Sequence, residues 1–569
     1  MAGSSVDKRN PYVRRLEQLK QERSTWLSHW KDLSEYLDPR GLRYVGSDRN
    51  NGSKKGEKII NNTAVLALRA LCAGLMGGLT NPQQVWFKLA IADRRTASRK
   101  RVKVFLEDCA EVMAAVFAKS NVYAEIQKAY KHLAAYGTAA ILLEEDDEEL
   151  LRATLLPIGQ YCLATDAKGR VDTCYREFAM TVAQLVDTYG IDNVTQSTRE
   201  MYNTGNYDQW IDVIHVIEPR RGRDRNDKTA KGMPFRSLVM EKGAGSGEFL
   251  RESGYNEFPV LCPRWEATGE DVYGESPGML CLGDIKELQA LEARKLEAFA
   301  KQVNPPLVLY GDVKSPKVSV QPGAITRVSQ TAGDNAFRPL YQVTPDAQGV
   351  SMEIEKVELR IKRAFFEDLL LIVSQLDNVR TATDIIERKN EKMVLLGPVV
   401  QSLEQELLTP LISRSFRILE ERGAFAEPPE ELVDADSDGT KVIRQALRPT
   451  YESPFASQQK SQSTGHVEAF FQLVGPILGV APETAMRINW DELVKEVAAK
   501  TGITVQAVRD DEETAALKQG AAQQQQAAAA SEQLVSGAQA AKLLSDARFE
   551  PNSALGALSA QAGMMAPAG

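Results

Sequence analysis

No stretch of this 569-residue sequence is both long and apolar enough to suggest a bilayer span. The most apolar early run, residues 64–79, carries Arg69 and is broken by glycines. It falls short of the roughly 20 apolar residues a spanning helix needs. The opening MAGSSVDKRNPYVRR is basic but has no apolar run behind it, so it is not a secretory pattern, and synthesis in a cytoplasm is expected. Cysteine is sparse: Cys72, Cys109, Cys162, Cys174, Cys262 and Cys281 are scattered, with no C-x-x-C pair, which argues against a disulfide scaffold and predicts reduced, mostly buried thiols. An excess of positive charge is also missing. Lys and Arg total 69 against 77 Asp and Glu, a formal net charge of -8, which argues against a surface that grips nucleic acid broadly.

The signatures of common chemistries are missing as well. GSKKGEK at residues 52–58 has glycines and lysines in the wrong register for a phosphate loop, with no Ser or Thr after Lys58, and reads as a mobile loop. AILLEE at 140–145 imitates the strand that positions magnesium in nucleotide hydrolases, but with no phosphate loop it reads as a strand reaching solvent. The four histidines, His29, His132, His215 and His466, show no i, i+4 zinc spacing and read as structural. Residues 244–247 lack the first glycine of a nucleophile elbow. Asp434, Asp436, Asp438 and Gly439 reproduce the first half of a calcium loop. Lys441, Gln445 and Pro428-Pro429 then depart from the pattern, so a solvated acidic turn is preferred to a cation site. The basic groups Arg220, Arg221, Arg223, Arg225 and Arg94, Arg95, Arg99, Lys100, Arg101, Lys103 could meet phosphate. Without interleaved aromatics they read first as solvated loops or subunit salt bridges. No cofactor and no metal are expected, and no enzyme activity.

What is present is a large soluble composition, 43% hydrophobic and 26% charged, in a chain long enough for several cores. Apolar spacing predicts helices over 11–37, 64–76 (closed by Gly77-Gly78), 103–119 and 123–136. A strand follows at 138–143, stopped by the acids at 144–149, then a hairpin of 161–164 and 171–178, a helix at 182–189, and strands at 210–217 and 237–240. From Met279 the pattern becomes one rod, with Leu282, Ile285, Leu288, Leu291, Leu296 and Phe299 in phase until Pro305-Pro306, roughly 30 Å at about 1.5 Å per residue. Short strands at 307–310 and 317–320 precede a returning rod at 351–373. A polar stretch, 374–383, leads to a long helix interrupted at Pro398 and Pro410. Residues 458–515 read as mostly helical, and the Ala, Gln and Ser tail after them as frayed or assembly-dependent. The fold class is therefore mixed α+β, predominantly helical.

That order of elements resembles the portal, or head-to-tail connector, of short-tailed, podovirus-type bacteriophages. The resemblance rests on IINNTAVLALRALCAGLMGGLTNPQQVWFKL from Ile59, SNVYAEIQKAYKHLAAYGTAAILLEED from Ser120, EFPVLCPRWEATGEDVYGESP from Glu257, TATDIIERKNEKMVLLGP from Thr381 and the segment from Trp490 to Gln526. The spacing from Asn81-Pro82 to Trp86-Phe87 and the length of the Gln tail depart modestly. The resemblance implies a dodecameric ring at one capsid vertex, with wing, stem, clip and crown around a central DNA channel. The wing would be 1–278, the first stem helix 279–304, the clip 305–347 and the second stem helix 348–373. A tunnel loop would follow at 374–384, a kinked long helix returning to the wing at 385–457, a crown at 458–518 and the tail at 519–569. The tunnel loop would turn Gln375, Asn378 and Arg380 toward double-stranded DNA. The implied partners are further copies of the chain, the terminase large subunit and then the tail adaptor at the clip. Major capsid, scaffolding and internal core or ejection proteins would meet it elsewhere, and no membrane. The implied location is the virion. Two rival readings are a helical scaffold without a pore and a packaging NTPase.

Overall fold

The computed structural model describes residues 9–43, 52–97, 99–224, 227, 229–243, 249–303, 307–309, 337–339, 346–367, 396–435, 441–443 and 448–451, with a few helical residues between 514 and 539. The chain divides into two units, Met1–Ser463 and Thr464–Gly569, and every strand among the described residues belongs to the first. The predicted strand at 317–320, the crown and most of the tail lie outside the described residues.

Helix α1 (Asn10–Tyr36) buries Leu16, Leu19, Trp30 and Leu33, and is followed by α2 (Thr63–Leu79). Gly77 and Gly78 do not close α2 as the sequence suggests. The helix runs through them to Leu79 because Gly78 and Leu79 lie buried on its packed face and Thr80 ends it. Strand β1 (Phe87–Lys88), a short α3 (Arg94–Ala97), α4 (Lys100–Lys119) and α5 (Val122–Tyr136) follow. Helix α5 is the axis of the main core, with Val122, Ile126, Ala129, Tyr130, Leu133 and Tyr136 all at most 1% exposed. Its polar groups are answered from other elements: the Trp30 indole donates to Tyr136 O at 3.1 Å and the Trp86 indole to Tyr123 Oη at 3.1 Å. It ends at Gly137, at φ 78°, where a Cβ would lie 1.9 Å from Gly274 O. Only glycine permits that crossing.

Strands β2 (Ile141–Asp146) and β3 (Leu150–Leu155) form a hairpin. The acids therefore do not stop the strand; they carry it into solvent and around a turn, with Asp146 Oδ1 accepting from Glu148 N and Glu149 N. Next come β4 (Tyr161–Thr165), β5 (Val171–Thr181), α6 (Val182–Tyr189), α7 (Gln196–Asn203), β6 (Trp210–Pro219), β7 (Phe235–Glu241) and β8 (Arg251–Tyr255). These five strands make an antiparallel sheet in chain order. The β4–β5 turn forms as predicted, with Asp166 Oδ1 accepting from Lys168 N and Arg170 N and Gly169 at φ 76°. Strand β9 (Val260–Leu261) joins β2.

Then α8 (Pro277–Leu280), α9 (Leu282–Val303), a two-stranded pair β10 (Leu307–Leu309) and β11 (Phe337–Pro339), and α10 (Ala347–Ala364) follow. Helix α10 ends inside the predicted rod: Phe365 is fully buried and Phe366 takes a left-handed φ of 56° against Trp265, which breaks the helix where no glycine or proline warns of it. Residues 368–373 of that rod lie outside the described residues. After residue 395 come α11 (Gly397–Leu403), a π turn (Glu404–Leu408) and α12 (Thr409–Glu421). Pro410 does not interrupt the helix. Its missing N–H is absorbed in the π turn before it, where Thr409 N bonds Glu404 O. Hairpin β12 (Val433–Ala435) and β13 (Lys441–Ile443) precedes β14 (Thr450–Tyr451), which pairs with β1. Trp86 stacks on Tyr451 there.

Candidate functional site

Helices α9 and α10 pack against each other as an antiparallel pair. Its base is held by a polar knot. Gln289 lies on the apolar side of α9, 5% exposed; its Oε1 accepts from Ile60 N at 2.6 Å and Asn61 N at 2.8 Å, and its Nε2 donates to Asn61 O at 2.9 Å. Asn61 Nδ2 reaches Glu292 on α9 and Glu358 on α10, and Thr63 Oγ1 also donates to Glu358. The segment before α2 therefore ties both helices together. Two outer contacts brace the pair: Arg360 with Asp284 and Glu287, and Lys286 with Asp32. These half-exposed ion pairs contribute about 0.2–1 kcal/mol each, so the buried amide is the stronger lock.

Below the pair lies a cavity of about 1250 Å³. Ala364 and Phe366 before residues 368–395, and Pro398 and Val399 after them, line it. One buried cation organises its wall. The Arg264 guanidinium pairs with Glu406 on the π turn and donates to Asp271 O and Gly169 O, each at 3.1 Å. Arg264 N donates to Glu406 Oε2 at 2.9 Å, and the Ser402 hydroxyl to Arg264 O at 3.1 Å. The β4–β5 turn, the segment after β9 and the helix after residue 395 thus meet at one side chain. Among the lining residues six are acidic (Asp166, Glu266, Glu270, Asp271, Glu275, Glu406) and two basic (Lys168, Arg264).

Gln375, Asn378, Arg380 and the whole 374–384 loop lie outside the described residues. Asp434 sits in the β12–β13 hairpin opposite Val442, so a strand preceded by a single 3-10 turn (Glu430–Leu432), and not an α-helix, enters the acidic turn, while Asp436 and Asp438 lie outside the described residues. Among the described residues no group of His, Cys, Asp and Glu could hold a metal ion. Arg220 is structural: it donates to Ala230 O and Ser253 O and lies 3.7 Å from Glu252. Arg99 pairs with Glu431. Glu144, the first acid of AILLEE, accepts from the Tyr255 hydroxyl at 2.6 Å. All six cysteines are free and buried. Burial pushes the Cys72, Cys109, Cys174 and Cys281 thiols up to about 12 and keeps them protonated. Burial lowers His132 to about 4 and His215 to about 3, so both are neutral side chains of the interior. No helix among the described residues is long and apolar enough to cross a membrane.

Sequence reasoning missed the Gln289 knot and the Arg264–Glu406 clamp. A lone amide in phase with Leu282 and Ile285 was the available sign of the first. The second joins residues 142 apart and leaves no local pattern.

The family model described as "Bacteriophage head to tail connecting protein" matches residues 9–508. The portal protein of Salmonella phage epsilon15 is 37% identical over 553 residues, covering 97% of this chain and 98% of that protein. The probable portal protein of Bordetella phage BPP-1 is 36% identical over 492 residues, covering 86% and 87%. With its helical pair, knotted base and mixed body inside the matched span, the chain belongs to the family of bacteriophage head-to-tail connecting proteins.

Proposed function

We propose that the chain is one subunit of a dodecameric portal ring at a capsid vertex of the virion, the channel through which double-stranded DNA is packaged and ejected. The observation that carries this reading is the pair α9 and α10, braced at its base by Gln289, Asn61 and Glu358. In the ring, residues 279–304 and 348–373 are the stem, 305–347 the clip, 1–278 with 385–457 the wing, 458–518 the crown and 519–569 the tail. The 374–384 loop turns Gln375, Asn378 and Arg380 into the channel. A net charge of -8 suits a conduit, because a wall that neutralises few phosphates releases few counterions and lets DNA slide.

The clip receives the terminase large subunit during filling and the tail adaptor afterwards, while capsid, scaffolding and internal core or ejection proteins meet wing and crown. The subunit performs no catalysis of its own, and nucleotide hydrolysis belongs to the terminase. Negative-stain imaging of the purified full chain tests the reading. End-on rings of about twelve copies around a hole support it; rods without a pore, or monomers at every salt concentration, overturn it.

A further inference from the structure

Two apolar stripes on the helical pair have no cover within the described residues. On α9, Leu296, Phe299 and Val303 are 55, 36 and 86% exposed. At 100° per residue they fall within about 100° of arc with Leu282 and Ile285, which are buried at the base. The face that the core covers at its lower end therefore continues, bare, toward the tip. On α10, Met352 and Leu359 are 57 and 41% exposed and lie across the helix from Ile354, Val357 and Ile361, which are buried. Leu66, 57% exposed on α2, flanks the same helix, since Thr63 one turn earlier holds Glu358.

Single exposed apolar residues are ordinary; aligned ones on two separate sides of one structure are not. Each stripe spans seven residue steps of helix, about 10 Å at 1.5 Å per residue. The α10 stripe points away from the body's core, and the α9 stripe lies on a different side of the pair. A foreign partner accounts for one stripe at most. Two unlike stripes of equal length on different sides are what a head-to-tail contact between copies requires, and such contacts give rings where the rotation between copies closes.

We propose that Leu296, Phe299 and Val303 of one copy pack on Met352 and Leu359 of the next, as the apolar anchors of the contact between subunits. This rests on the ring reading of the chain. Five side chains do not fill a stable interface of about 800 Å² a side, so they act as its central cluster within a wider rim.

Two full-length variants test it by native mass spectrometry: L296E/F299E, which spoils only the α9 stripe, and M352E/L359E, which spoils only the α10 stripe. Each is expected to be monomeric at concentrations where the unaltered chain forms rings. Mixed one to one, they are expected to give a heterodimer and nothing larger, because one sound stripe of each kind remains. That dimer also proves that both variants are folded. Rings formed by either variant alone overturn the pairing and leave the ring reading intact. Two monomers that do not pair when mixed overturn it too and assign the stripes to another protein. An unaltered chain that never closes into rings removes the portal reading and the pairing together.

Discussion

Arg264 and Glu406, 142 residues apart in sequence, form a clamp in which both the main-chain N–H and the guanidinium of the arginine donate to one carboxylate. The carboxylate stands on the π turn that follows residues 368–395, and the arginine on the wall of the cavity beneath α9 and α10.

Replacing Glu406 by Ala strands a cation that is only 8% exposed, whereas Gln keeps an acceptor in place. The glutamate side chain is itself 28% exposed, so water recovers part of the loss. E406A is expected to cost roughly 2–3 kcal/mol and E406Q less. Chemical denaturation of both variants beside R264M checks this, and strictly additive effects of R264M and E406A would remove the clamp.

Gln289→Leu keeps the size of the side chain and removes its three hydrogen bonds to residues 60 and 61. Unsatisfied buried groups make this a loss of about 3 kcal/mol. Amide hydrogen exchange at Ile60 and Asn61 is expected to accelerate well before α2 opens. Unchanged protection at those two amides would mean the knot carries no load.

Glycine-specific geometry separates two turns. At Gly137 a methyl group meets both a left-handed φ of 78° and Gly274 O at 1.9 Å, while at Gly169 it meets the φ of 76° and open space. G169A is expected to cost about 1 kcal/mol, and G137A enough to prevent accumulation of folded protein. Equal melting temperatures for the two variants would contradict the crossing.

The buried histidines make acid sensitivity a signed expectation. Burial holds His132 near 4 and His215 near 3, so in the folded chain both stay neutral while the unfolded chain takes up their protons at about 6.5. Between those values the unfolded state binds more protons, so stability is lost as pH falls from about 6.5 toward 4. Over the whole of each window this is worth roughly 3 kcal/mol at His132 and roughly 5 kcal/mol at His215. H132F is expected to flatten denaturation midpoints across pH 4–6.5 by about one proton; a slope identical to that of the unaltered chain would exclude the site.

Much of this architecture is legible in the sequence where one period dominates. The helices α1, α4, α5 and α9, the β4–β5 hairpin at Asp166 and the free buried cysteines all follow from local spacing. The misreadings share a cause, which is tertiary contact overriding a local rule. Gly77 and Gly78 stay helical because α2 is packed, the acids after Leu143 turn a hairpin, and Pro410 is accommodated by a π turn. Phe366 ends a helix with no breaker residue. The family resemblance is legible in long segments such as INNTAVLAL and PRWEATGEDVYGESP, and these hold Asn61, Arg264, Gly274 and Ser276. Their partners Gln289, Glu358 and Glu406 lie far along the chain, beyond any spacing rule.

The knot at Gln289 also fixes a lever. From there to Val303 is 14 residues of α9, an arm of about 21 Å at 1.5 Å per residue. A rotation of about 5° at the knot therefore carries the tip sideways by about 2 Å. That is enough to open or close a gap between side chains in van der Waals contact. Stiffness at Asn61 and Glu358 is in this sense a setting of position at the far end of the helix, about three turns from either residue.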